Sequence, residues 1–239
     1  MLIERNTKDL KYYLYISTSK IEMLYPQIAD DLKEKKASEW KIDLKFLSYS
    51  RKSENEPTNT QQARLEAIVE TLNAQEKIGT IKEPREYFRG CFKMRWGIYA
   101  DSGRPSDEAP LVYFGGRTAE TIFGLGGSSR HVIGFSGAGN TGSRSVTPYL
   151  IAHLLNGLDI PTKGWQATGP RRDTEQNTLQ AIIVATQYLT GPDLQMDFVA
   201  KTLLHSRGRD FLGSSQQVNI LLGTPLYVAE IGSFLDEMG

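Results

Sequence analysis

The sequence predicts an α/β fold: two β-α-β-α-β-β half-domains with mixed sheets, packed as a pseudo-dimer. Three observations predict it. The first is a pair of Asn-Thr-x-Gln-Ala segments, Asn59-Thr60-Gln61-Gln62-Ala63 and Asn177-Thr178-Leu179-Gln180-Ala181. Tyr13-Leu14-Tyr15-Ile16-Ser17 stands about as far ahead of the first as Val132-Ile133-Gly134-Phe135-Ser136 stands ahead of the second. The second observation is a matching order of landmarks, which points to internal repetition. Tyr25-Pro26 and Pro148-Tyr149 are each followed by a basic loop, Arg51-Lys52 and Arg171-Arg172. The third is periodicity, with apolar residues alternating in some segments and recurring every three or four in others. The expected boundaries are residues 1–128 for the first repeat and 129–239 for the second.

The elements follow in order. Tyr12 to Ser17 alternates and is aromatic-rich, as a strand is. Ile21, Leu24, Tyr25, Ile28 and Leu32 recur at helical spacing, with Pro26 near the first turn, where its missing N–H costs least. Trp40 to Tyr49 alternates Ile42, Leu44 and Phe46. Gln61 to Ala74 is amphipathic, with Asn59 or Thr60 as its N-cap. Tyr87 to Ala100 is a long strand. Leu111 to Gly115 and Glu120 to Leu125 flank Gly115-Gly116-Arg117-Thr118, which reads as a hairpin turn. Gly124-Leu125-Gly126-Gly127-Ser128-Ser129-Arg130-His131 reads as a second Gly-rich turn joining the repeats. In the second half, His131 to Ser136 reads as a strand, Thr147 to Leu158 as a helix and Trp165 to Ala167 as a short strand. Leu179 to Leu189 reads as a buried helix, and Leu194 to His205 as a strand. Val218 to Ile231 is nearly continuous apolar sequence, as in a central strand.

Composition narrows the function classes. The chain has 239 residues, 39% hydrophobic, with 28 basic and 28 acidic side chains. That balance lacks the overall basic field of a duplex nucleic-acid binder. No run approaches the roughly 18 apolar residues of a membrane span. The N-terminus carries Glu4, Arg5, Lys8 and Asp9 rather than a signal-peptide core. A single cysteine, Cys91, precludes an internal disulfide and fits the cytoplasm; its place mid-strand suggests a small buried hydrophobe. His131, His153 and His205 are scattered, without metal-ligand spacing, so neither metal nor cofactor is expected.

The chemistry-bearing residues lie in strand-to-helix loops. Ser17-Thr18-Ser19-Lys20 and the Gly/Ser run from Ser136 to Ser145 each link an expected strand to an expected helix. Backbone N–H groups at such a turn, with a helix N-terminus behind them, suit an anion. The candidate ligand-binding residues are Ser17, Thr18, Ser19 and Lys20 in the first loop. In the second they are Ser136, Gly137, Gly139, Asn140, Thr141 and Arg144. Ser128 and Arg130 sit at the seam between repeats, and Arg51 and Arg171 are matching anion clamps. Gly134-Phe135-Ser136-Gly137-Ala138 nearly spells a nucleophile elbow, but a long Gly loop follows instead of an immediate helix. No catalytic residue is assigned.

Tyr12 to Ile28, with Tyr13-Leu14-Tyr15-Ile16-Ser17 and Lys20-Ile21-Glu22-Met23-Leu24-Tyr25-Pro26, resembles the opening of an uncharacterised bacterial family, a domain of unknown function. Gly124-Leu125-Gly126-Gly127-Ser128, His131-Val132-Ile133-Gly134 and Gly223-Thr224-Pro225-Leu226-Tyr227 resemble its later motifs. In plan, though not in sequence motifs, the chain is similar to the CARF and SAVED sensor domains of bacterial antiviral systems. That likeness implies a site for cyclic oligonucleotides across a pseudo-twofold.

The expectation is therefore a non-catalytic module that senses an anionic, nucleotide-like molecule between two repeats, with cyclic oligonucleotides among the candidates. It would act through a protein partner or self-association in bacterial signalling or defence. The alternatives are a metal-independent phosphodiesterase on the same ligands and a structural adaptor whose glycines are turns.

Overall fold

The computed structural model describes residues 10–38, 57–99, 110–135, 174–209 and 216–232. The strands are β1 (Lys11–Ile16), β2 (Ile78–Thr80), β3 (Tyr87–Tyr99), β4 (Leu111–Arg117), β5 (Thr121–Ser128), β6 (Leu194–Arg209) and β7 (Gln217–Ile231). The helices are α1 (Thr18–Ser38), α2 (Pro57–Ala74) and α3 (Thr174–Gln187), with a 3-10 turn at Ser129–His131. No helix among the described residues is long and apolar enough to cross a membrane. Ser17–Ile78, with α1 and α2, makes one compact unit, and the strands with α3 make the other.

The strand unit is a mixed α/β structure dominated by its sheet. β3, β4 and β5 form an antiparallel meander. β5 then pairs in parallel with β7, β7 antiparallel with β6, and β6 antiparallel with β3. The pairings return to their start, so five strands close a barrel, with β1 added to β7 and β2 to β3. Closure removes most exposed sheet edge.

Alternation along the strands fills the two faces differently. Phe88, Met94, Phe114, Phe123, Leu125, Met196, Phe198, Leu221 and Val228 point into the barrel and are buried. Phe88 and Phe123 each place their rings 5.8 Å from that of Phe198. On the outside, Leu179, Ile182 and Ile183 of α3 pack on Leu111, Tyr113, Ile122, Ile220 and Leu222. β7 is the hub: it pairs with β6, β5 and β1, which explains its unbroken apolar sequence. In the helical unit, Ile21 and Ile28 of α1 are buried, as are Leu65, Ile68 and Leu72 of α2, and Arg64 lies 5.1 Å over the Tyr25 ring.

Several expectations need correction. The described residues do not show the internal duplication: strands from both sequence halves close one barrel. Both Asn-Thr-x-Gln-Ala segments do lie near the start of helices, but α2 packs on α1 whereas α3 packs on strands. The glycines of both expected turns are strand, and only Ser129–His131, at the end of the second, turns. Gly115 and Gly116 end β4, and the actual turn is made by Thr118, whose Oγ1 accepts from the N–H groups of Glu120 and Thr121. Gly124 lies within β5, where a Cβ would collide with the buried Tyr113 hydroxyl.

The described part of the expected strand from His131 to Ser136, up to Phe135, is not a strand either. The 3-10 turn occupies its start, Phe135 N–H donates to the Val132 carbonyl, and only Val132 bridges to Tyr15. Pro26 sits well inside α1, because that helix begins at Thr18. Cys91 is exposed, since it shares the outer face of β3 with Lys93 and Arg95; Gln195 Nε2 donates to its Sγ at 3.1 Å. Trp40 to Tyr49, Thr147 to Leu158 and Trp165 to Ala167 lie outside the described residues.

Candidate functional site

The outer face of the barrel carries a cleft of about 440 Å³ between the β3–β4 strands and the end of α3. Lys93 and Arg95 are two residues apart on β3, so both project outward. Arg95 pairs with Gly115 and Met94 with Gly116, which brings Arg117 of β4 to the same face. Ile122 and Ile183 supply apolar wall, Thr186 and Gln187 polar wall, and Asp193 the single carboxylate. Among the described residues, three cationic side chains against one carboxylate leave the lining positive.

Internal pairing divides these charges. Arg95 Nε donates to Asp193 Oδ1 at 2.8 Å and Nη2 to Oδ2 at 3.4 Å. Its Nη1 donates to the Leu189 carbonyl just beyond α3 at 3.4 Å. Arg95 therefore answers both the carboxylate and the negative end of the helix dipole. Lys93 makes no ion pair among the described residues, so its ammonium remains available to an incoming anion.

Gly115 sets the depth of the cleft. A Cβ there would stand 2.9 Å from Leu189 Cδ1 and 3.1 Å from the Thr186 Cα, so only glycine lets α3 lie this close to β4. Gly115→Val is expected to cost about 1–3 kcal/mol through overpacking, read as a lowered urea midpoint.

The residues picked out from sequence occupy three settings. Ser17, Thr18, Ser19 and Lys20 come together at the start of α1. There Ser17 is buried and its carbonyl accepts from Ile21 N–H; Lys20 Nζ donates to Ser17 Oγ at 3.4 Å. Thr18 Oγ1 accepts from Gln61 Nε2 of α2 at 2.7 Å. Ser128 and Arg130 meet in the 3-10 turn, where Ser128 Oγ accepts from Arg130 N–H at 3.4 Å. Arg130 Nε and Ser129 Oγ are buried with no hydrogen-bond partner among the described residues. Arg51, Ser136, Gly137, Gly139, Asn140, Thr141, Arg144 and Arg171 lie outside the described residues.

A second polar cluster stands elsewhere on the outer face. Tyr227 hydroxyl donates to Asp197 Oδ2 at 2.7 Å, and Lys11 Nζ reaches the same oxygen at 2.7 Å. Lys11 Nζ also lies 4.9 Å from the Tyr227 ring centroid, and Tyr13 meets that ring edge-on at 5.7 Å. The cluster ties β1 and β6 to β7.

Burial foremost, then the Asp197 charge, raises the Tyr227 pKa above its ordinary 10.0, and burial raises that of Tyr87. The folded protein thus holds protons that the unfolded chain releases, so this contribution is complete below the ordinary value and lost above it. The urea midpoint is expected to fall as the pH rises past 10.0, and less steeply in Tyr227→Phe. At neutral pH that variant loses about 1–3 kcal/mol, because Asp197 keeps one partner fewer.

Lys93, Arg95, Arg117 and Asp193 were absent from the sequence-based candidates. The i, i+2 spacing of Lys93 and Arg95 was a usable signal, since it places two cations on one strand face. Their meeting with Arg117 depends on register, which no local pattern reveals.

No curated protein and no solved structure gives a significant match to the chain. The family comparison does: the chain matches the Family of unknown function (DUF7019) over residues 11–232, from the first residue of β1 to just past β7, and it belongs to that family.

Proposed function

We propose that the protein binds an anionic, nucleotide-like small molecule in the cleft beside β4 and acts through a protein partner, as a sensor in signalling or defence. The observation that carries this reading is Lys93, an ammonium without an ion pair among the described residues, at a positively lined cleft of about 440 Å³. That volume falls within the range of about 300–1,000 Å³ typical of small-molecule sites. Lys93 and Arg117 suit phosphate oxygens, Thr186 and Gln187 can hydrogen-bond a base or ribose, and Ile122 and Ile183 offer it an apolar wall. The end of α3 opposes an anion, but Arg95 already counters it, leaving Lys93 for the ligand.

The ligand class is the one the sequence suggests; its place moves from the strand-to-helix loops to the barrel flank. The reading requires no duplicated chain, and the likeness to CARF and SAVED domains enters only as the reason to include cyclic oligonucleotides among the probes. The test is calorimetric titration with inorganic phosphate, ATP and a cyclic oligoadenylate, each mixture then analysed for hydrolysis. Saturable binding without turnover, lost in Lys93→Glu, supports the sensor. Turnover without added metal replaces it with a phosphodiesterase, and no binding by any of the probes leaves the adaptor.

A further inference from the structure

We infer that the anion this cleft takes is a linked diphosphate. Its first phosphate sits on Lys93 and Arg117 and its second on Arg95, which releases Asp193 to receive it. The inference rests on the cleft reading above and names the phosphate chemistry within it.

The strand register crowds the cations. Met94 pairs with Gly116, so Lys93 and Arg117 are the next residues outward on β3 and β4, and both line the cleft. Facing side chains of antiparallel strands lie about 4.5–5.5 Å apart at Cβ, and like charges so placed repel. Arg95 follows Lys93 on the same face at about 6.8 Å, the repeat of alternate residues in a strand. All three side chains are exposed, so an anion in solution can reach them. Positive charges held this close favour a ligand whose negative charges are equally close. Two phosphates that share one oxygen meet that condition. The phosphates of a cyclic oligonucleotide do not, because a whole sugar separates each from the next.

Arg95 is engaged in the free protein, but by a bond that a phosphate can outbid. Asp193 immediately precedes β6, whose Leu194 pairs with Met94, and this register brings Asp193 alongside Arg95. Arg95 Nε donates to Asp193 Oδ1 at 2.8 Å and Nη2 to Oδ2 at 3.4 Å. The two side chains are 44% and 53% exposed. A solvent-exposed pair of this kind contributes no more than about fivefold to an equilibrium. A charged hydrogen bond to phosphate contributes about 10- to 150-fold. Exchange of the carboxylate for a second phosphate is therefore favourable, and rotation of one long side chain accomplishes it. A single phosphate lodges between Lys93 and Arg117, where repulsion is greatest, and leaves Arg95 with Asp193. Asp193 thus holds the place of the second phosphate and makes the cleft selective for ligands that carry one.

The test is calorimetric titration of the full chain with orthophosphate, pyrophosphate and a cyclic oligoadenylate. The Arg95 Nε–H signal is followed in parallel by nitrogen-edited NMR and assigned by its loss in Arg95→Lys. Pyrophosphate is expected to bind at least about tenfold more tightly than orthophosphate and, unlike orthophosphate, to move the Arg95 signal. Asp193→Asn removes the internal competitor, so pyrophosphate should bind up to about fivefold more tightly and orthophosphate should gain less. A pair that served structure alone would give no such gain. Equal affinity for the two inorganic anions overturns the inference and leaves the cleft reading in place. So does an Arg95 signal that stays still at saturating pyrophosphate, weaker pyrophosphate binding in Asp193→Asn, or tighter binding of the cyclic oligoadenylate than of pyrophosphate. No binding of any of these probes removes the cleft reading and this inference with it. The NMR titration uses the unmodified protein, so the outcome does not depend on whether a variant folds.

Discussion

Phe198→Ala is expected to lower stability by about 3–5 kcal/mol, the range for deleting a buried aromatic ring. Phe198 is fully buried, with the rings of Phe88 and Phe123 each 5.8 Å away. The cost should fall toward the top of that range, since a barrel hydrogen-bonded around its whole circumference cannot collapse onto the hole. Domains hold only about 5–15 kcal/mol in all, so this one ring accounts for a large share. Urea unfolding followed by tryptophan fluorescence measures it, and Phe198→Leu, which keeps most of the volume, should recover more than half. A loss under about 1 kcal/mol would mean that the interior is loosely packed rather than close-packed.

Lys93→Ala should act on binding alone. The side chain is exposed and makes no ion pair among the described residues, so stability should change by no more than about 0.5 kcal/mol. A charged hydrogen bond to phosphate contributes about 1.5–3 kcal/mol, so affinity for the proposed nucleotide-like ligand should fall roughly 10- to 150-fold. The remaining affinity should depend less steeply on salt, because one phosphate–cation contact has gone. Arg95→Ala is the contrasting variant: it strands Asp193 and the Leu189 carbonyl, so stability and binding fall together. Unchanged affinity in Lys93→Ala would place the ligand elsewhere.

The parts of this fold legible in sequence are those where one periodicity runs for many residues. β7 announces itself through its apolar run from Val218 to Ile231, and β3 and α3 are also close to their expected spans. Glycine misled, because a residue without Cβ serves two needs that look alike in sequence. Gly115-Gly116 and Gly124-Leu125-Gly126-Gly127 were read as backbone turning, whereas Gly115 and Gly124 yield room to α3 and to the Tyr113 hydroxyl. The closed barrel was illegible for a different reason: the parallel pairing of β5 with β7 and the closure of β6 on β3 are long-range choices. The candidate cleft inherits that difficulty, since its cations come from strands whose register decides whether they meet.

The hub position of β7 also fixes when this protein can become itself. Of the five barrel strands, a ribosome releases β3, β4 and β5 first, with Phe88, Phe114 and Phe123 aligned along a face that β6 and β7 have yet to enclose. The strands that complete the barrel come later, and β1 waits longest: Lys11 meets Tyr227 across 216 residues of chain. Long-range closure of this kind is slow and leaves apolar surface exposed in the meantime. The barrel can therefore close only once β7 has emerged, as one late event rather than strand by strand.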